Sequence, residues 1–279
     1  MSALESGPER GALAIDAWKR GPTARLPLGP LVSRTLVHDP HLVVSRHPAS
    51  PLAERYRRVR LNLERHAASP QVIVITSAVP GEGKTTTAMN VALAFAEDRE
   101  RSTLLIDADL RRPSVARYIK PQPTLGLAGV LSGEAALDHA LIEMSDSRLF
   151  VLPAGTPTAT PLDLLQADEL GRLIAELRGR FDRIIIDTPP TVPFTDAAVL
   201  SAHADGALLV VRARATTARL IERARESLSA ATFLGAVLND VEFTTVDRLY
   251  YRYDDLEPAR YRNTRQETIA SREDSNGKT

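Results

Sequence analysis

The sequence predicts an α/β fold in which a mostly parallel central sheet is covered by helices on both faces. Three observations carry that expectation. Six short runs, Val72–Ile75, Thr103–Ile106, Leu149–Leu152, Ile184–Ile186, Ala207–Val211 and Leu234–Leu238, are apolar apart from Thr103 and rich in β-branched residues. Strands of that kind are buried on both faces, as parallel sheets require. Helical patterns near 85–97, 163–179, 195–203 and 216–230 alternate with them, the succession that builds crossover units. Finally, a glycine-rich turn closes one run and aspartates close two others, so polar chemistry gathers at the carboxyl ends of the strands, where such sheets bind ligands.

Along the chain, residues 1–45 mix Gly, Pro, Arg and Ser with little periodicity and are expected to form a disordered arm. Ser50 and Pro51 then open a helix to Glu64, with Leu52, Tyr56, Val59 and Leu63 at spacings of three and four. Its polar face carries Glu54, Arg57 and Arg60. The strand–helix alternation follows, and from Arg262 the chain is polar and aperiodic. The expected division is an arm at 1–45, a domain at 46–245 and a flexible tail at 246–279. No internal repeat is present.

Composition narrows the chemistry. Formal net charge is zero over 279 residues, so nothing global points to nucleic acid. The absence of cysteine removes disulfides, thiol catalysis and cysteine-ligated metal centres. No run approaches the roughly eighteen apolar residues of a membrane span, and MSALESGPERG lacks the apolar core of a signal peptide. A cytoplasmic location is expected, with any membrane attachment made through a partner. Lysine is scarce: Lys19, Lys84, Lys120 and Lys278 stand against thirty-one arginines.

One of those lysines lies in Ala78-Val-Pro-Gly-Glu-Gly-Lys84-Thr85, between the strand QVIVITS and a helix. That context supports a Walker A phosphate loop, and the fold class becomes a P-loop NTPase three-layer sandwich. Gly81 and Gly83 let the backbone of Pro80, Gly81, Glu82 and Gly83 curl around phosphate oxygens. Lys84 adds a cation, Thr85 a hydroxyl for Mg²⁺, and Thr86 continues the helix N-terminus. Mg-ATP is the expected ligand. Position 78 is Ala where the strict pattern has Gly.

Two further segments bear on the γ-phosphate. Leu104-Leu-Ile-Asp107-Ala-Asp109-Leu-Arg-Arg-Pro113 and Arg183-Ile-Ile-Ile-Asp187-Thr-Pro-Pro190 are apolar strands ending in carboxylates. Asp187 fits a Walker B acid holding Mg²⁺, while Asp107 and Asp109 supply a further metal contact and a base. A single such Asp is as well explained as a helix cap, but three are not. Arg111 and Arg112 either meet phosphate or are solvated, and Asn239 either reads the adenine edge or forms a turn.

Of six tyrosines, Tyr250, Tyr251, Tyr253 and Tyr261 fall in the tail, where they are candidate phosphate acceptors. With SAVPGEGKT, LLIDADLRRP and RIIIDTPP, this cluster resembles the bacterial tyrosine kinases of capsule and exopolysaccharide synthesis, over roughly residues 45–261. Weaker matches are Gly126–Gly133, LPAGTPTATPLDLL at 152–165 and FTDAAVL at 194–200. The resemblance implies autophosphorylation of tail tyrosines in trans within a ring-like homo-oligomer, with Glu54, Arg57 and Arg60 as subunit contacts. It also implies a separate transmembrane polysaccharide co-polymerase as activator. The nearest rival is a partition-type ATPase switch, whose loop carries a second lysine where this chain has Val79. A nucleotide-binding regulatory subunit with a docking tail is the other.

Overall fold

The computed structural model describes residues 31–242 apart from 146, 159 and 167. Nine strands form one sheet: β1 Val32–Leu36, β2 Val72–Ser77, β3 Thr103–Asp107, β4 Ile119–Lys120, β5 Ile142–Met144, β6 Leu149–Leu152, β7 Arg183–Asp187, β8 Gly206–Arg212 and β9 Thr232–Asn239. Their order is β4-β1-β5-β6-β3-β7-β2-β8-β9. The six from β6 to β9 in that order are mutually parallel, as the apolar runs require. β5 joins β6 antiparallel, β1 lies parallel to β5, and β4 is antiparallel to β1.

The helices are α1 Val43–Arg46, α2 Pro51–Glu64, α3 Lys84–Ala96, α4 Leu127–Leu131, α5 Leu137–Ala140, α6 Pro161–Gln166, α7 Asp168–Arg180, α8 Asp196–Ser201 and α9 Ala218–Ser227. α2 starts where the sequence places it because Ser50 Oγ accepts the Ala53 N–H at 3.2 Å and Pro51 occupies the first turn. The pattern at 163–179 is shared between two helices, α6 and α7.

Alternate residues of the central strands enter different cores. Ile73, Ile75, Leu105 and Ile185 pack with α1, α2 and α3, whereas Val72, Val74, Leu104, Ile106, Ile184 and Ile186 pack with α4, α6, α7 and α8. Both faces being covered explains the uninterrupted apolar runs. α9 lies over a smaller cluster with Leu209, Val211 and Ala78.

The expected disordered arm needs correction within the described residues. Val32–Leu36 is a strand, and Leu42, Val43 and Val44 are buried against α3. Asn90 on α3 fastens this segment: its Oδ1 accepts the Val44 N–H at 3.1 Å and its Nδ2 donates to the His41 carbonyl at 2.7 Å. A five-residue strand at a mixed-polarity position has too little pattern to read from sequence. Residues 1–30 and the tail tyrosines lie outside the described residues.

Candidate active site

β2 ends at Ser77, and the loop that follows turns directly into α3. Gly81 and Gly83 have φ of +83° and +87°, a region L-residues avoid. Gly83 is constrained twice, since a Cβ there would lie 2.1 Å from Asn239 Nδ2. This conformation brings loop N–H groups and the N-terminus of a thirteen-residue helix to one place, an arrangement suited to an anion.

β3 and β7 are neighbours in a register that pairs Asp107 with Asp187. The loops after β2, β3 and β7 therefore converge. Lys84 Nζ lies 2.8 Å from Asp109 Oδ2, 3.8 Å from Asp187 Oδ1 and 3.4 Å from Thr85 Oγ1. The Thr85 hydroxyl donates to Asp187 Oδ2 at 2.6 Å and is met by Ser114 Oγ at 3.0 Å. Asp107 is fully buried and braces its own loop: Oδ1 accepts the Asp109 N–H, and Oδ2 accepts those of Ser114 and Val115 at 3.0 and 2.9 Å.

The electrostatics follow from packing three carboxylates around one ammonium. Burial, then the Asp187 charge, raises the Asp107 pKa well above the carboxylate range. Burial raises that of Asp187 too, opposed by Lys84 and the Thr85 hydrogen bond. For Lys84, burial works against the charge, but Asp187 and Asp109 outweigh it and the pKa is raised. The pair Asp107 and Asp187 consequently titrates as a unit.

Asp187 Oδ1 is buried with no hydrogen-bond partner among the described residues. An orphaned carboxylate oxygen beside a threonine hydroxyl is the donor chemistry of Mg²⁺, which takes one or two protein oxygens and completes its shell with phosphate and water. Among the described residues no group of three or more carboxylates and histidines could hold a metal ion by itself.

The remaining candidates divide. Glu82 is 2% exposed, and its carboxylate accepts the Val79 N–H at 2.9 Å and the Thr216 hydroxyl. Asn239 stands beside the loop, its Nδ2 donating to the Glu82 carbonyl at 2.9 Å. Thr86 Oγ1 lies 3.4 Å from the buried Tyr118 hydroxyl. Arg111 is held by buried Asp196 at 2.9 Å and covers the Phe194 ring at 4.6 Å, whereas the Arg112 side chain is exposed. Glu54, Arg57 and Arg60 sit away from the loop. Arg57 pairs with Glu97 at 2.7 Å and Glu54 at 3.2 Å, and Arg60 donates to the Ala94 carbonyl at 2.7 Å. Ser114, Asp196 and Thr216 were not singled out from sequence. Only Asp196 had a signal, inside FTDAAVL.

Residues 70–224, more than half of the chain, match the family model of an AAA domain. The chain is 36% identical over 203 residues to the tyrosine-protein kinase YwqD of Bacillus subtilis, across 71% of this chain and 85% of that protein. It is 34% identical over 227 residues to the succinoglycan biosynthesis transport protein ExoP of Rhizobium meliloti, across 79% of this chain and 29% of that one. The crystal structure of the chimerical protein CapA2B2 superposes with a TM-score of 0.66 at 30% identity, covering 77% of this chain and 95% of that one. Walker loop, paired aspartates and relatives agree, and the chain belongs to the bacterial tyrosine kinases of capsule and exopolysaccharide biosynthesis.

Proposed function

We propose that the protein is an ATP-dependent tyrosine autokinase that transfers the γ-phosphoryl group to Tyr250, Tyr251, Tyr253 and Tyr261 of a neighbouring copy. The observation that carries this reading is the meeting of Lys84, Thr85, Asp107, Asp109 and Asp187 at one end of the sheet. ATP phosphates would lie in the loop 80–86, with Lys84 turning from Asp109 to the β- and γ-oxygens. Thr85 and Asp187 would hold Mg²⁺, which neutralises charge on the phosphates when bound. A tyrosine phenol, with an unperturbed pKa of about 10, needs a proton acceptor near neutrality. Asp107, its pKa raised by burial, matches that task, and its Oδ1, which accepts the Asp109 N–H alone among the described bonds, keeps a lone pair. Asp109 is the counter-charge that parks Lys84.

Among the described residues no helix is long and apolar enough to cross a membrane. Activation by a separate transmembrane co-polymerase, recruitment to the inner face of the membrane and ring assembly through Glu54, Arg57 and Arg60 belong to this proposal. So does adenine recognition by Asn239.

The test is incubation of the purified protein with Mg-ATP, alone and with the cytoplasmic segment of its membrane partner, followed by phosphotyrosine detection. Labelling that Lys84→Met abolishes supports the kinase. ATP hydrolysis without label in the activated state would instead identify a partition-type switch.

A further inference from the structure

The phosphate loop is tied to parts of the chain outside the recognised motifs. Glu82 Oε2 accepts the Val79 N–H at 2.9 Å, which closes the loop on itself. Glu82 Oε1 accepts the hydroxyl of Thr216, in the connection between β8 and α9. The Thr216 oxygen accepts the Arg212 N–H at 3.2 Å, so its proton is directed to Glu82. Asn239 Nδ2 donates to the Glu82 carbonyl at 2.9 Å. Arg212 and Asn239 are register partners at the ends of β8 and β9, and the Ala213 N–H donates to the Asn239 carbonyl at 2.9 Å. Asn239 therefore stands on the sheet, and Thr216 is tied to its edge through the Arg212 N–H.

We propose that Glu82 and Thr216 form a clasp that sets the phosphate loop in its binding shape, which makes Thr216 a positioning residue for the nucleotide. The proposal deepens the function above and rests on its nucleotide-binding half, not on phosphotransfer. A loop with two positive-φ glycines has much backbone freedom to lose, and its convergent N–H dipoles repel one another. Ordering that loop would otherwise be drawn from the binding energy of the phosphates. The clasp supplies the order from Glu82, a residue 2% exposed whose carboxylate is bonded at both oxygens. Deleting one of those donors leaves a buried oxygen unsatisfied and lets the loop relax.

The test is Thr216→Val, which keeps the shape and removes the donor. With Mg²⁺ present, Kd for a fluorescent ADP analogue and KM for ATP should both rise about tenfold, while kcat at saturating ATP stays within about twofold, because bound phosphates then order the loop. Thr216→Ser should restore wild-type affinity. Glu82→Asp, which shortens the reach, should weaken ADP-analogue binding in the same way and serves if the valine variant does not fold. A lower melting temperature with unchanged Kd would reduce the clasp to a structural contact and overturn the proposal, as would a fall in kcat at unchanged Kd. Because the primary readout is ADP-analogue binding, a wild-type protein that binds but never labels tyrosine would sink the kinase reading and leave this one standing.

Discussion

Lys84 faces Asp109 and Asp187 directly, with Asp107 close behind, and this crowding has a measurable consequence. Unfolding returns Asp107 and Asp187 to ordinary carboxylate values, whereas the folded values are raised. The folded state thus keeps protons that the unfolded state has released. Stability from these two groups is complete below the ordinary carboxylate range and is lost as pH rises through the raised values. Melting of the wild type between about pH 5 and about pH 8 should show this loss, and Asp107→Asn should reduce the slope. Mg-nucleotide affinity should strengthen over the same window, since the metal needs the ionised carboxylate. Calorimetry in two buffers of different ionisation enthalpy would detect the released protons. Gly83→Ala should be the most damaging small change in the loop. Its φ of +87° alone costs about 1–3 kcal/mol for a side chain, and the Cβ would collide with Asn239, so ADP-analogue binding should be lost.

At the scale of elements, α2 is bound to α3 by charge as well as by apolar contact. Arg57 reaches Glu97 and Arg60 reaches the Ala94 carbonyl, both at the end of α3. The Arg57–Glu97 pair is about one-quarter to one-third exposed, so water screens it and a double-mutant cycle should return no more than about 1 kcal/mol. That modest value separates two roles. If Glu54, Arg57 and Arg60 also make subunit contacts, Arg57→Ala should dissociate the oligomer in sedimentation, while Glu97→Gln should change stability slightly and leave assembly intact. Equal effects of the two substitutions on assembly would count against the subunit-contact role. The element most poorly read from sequence was β1. Its pairing with β4 and β5 is non-local, reaching residues 119–120 and 142–144, and the local pattern of VSRTL contains no trace of those partners.

For the whole molecule, the proposed transfer joins the site of one copy to the tail of another. Mixing decides it. A Lys84→Met chain with its tail intact should be labelled by a second chain whose Tyr250, Tyr251, Tyr253 and Tyr261 are all Phe, although neither labels alone. Label absent from the mixture but present in wild type would place the reaction within one chain. Multiple phosphorylation adds several negative charges to each tail. Sedimentation before and after labelling should therefore shift toward smaller species, and phosphatase treatment should reverse the shift.

The sequence by itself determined the class of fold and the chemical inventory of the site. Continuous apolar runs require a sheet buried on both faces, and the glycines, Lys84, Thr85 and the strand-end aspartates are local features with local reasons. Six of the nine strands and the start of α2 were legible on those grounds. Tertiary structure decided which of these groups meet. Only the β3–β7 register sets Asp107 beside Asp187, and only the approach of β8 and β9 brings Thr216 and Asn239 to Glu82. Those relations span up to 157 residues of chain, and no periodicity encodes a contact at that distance.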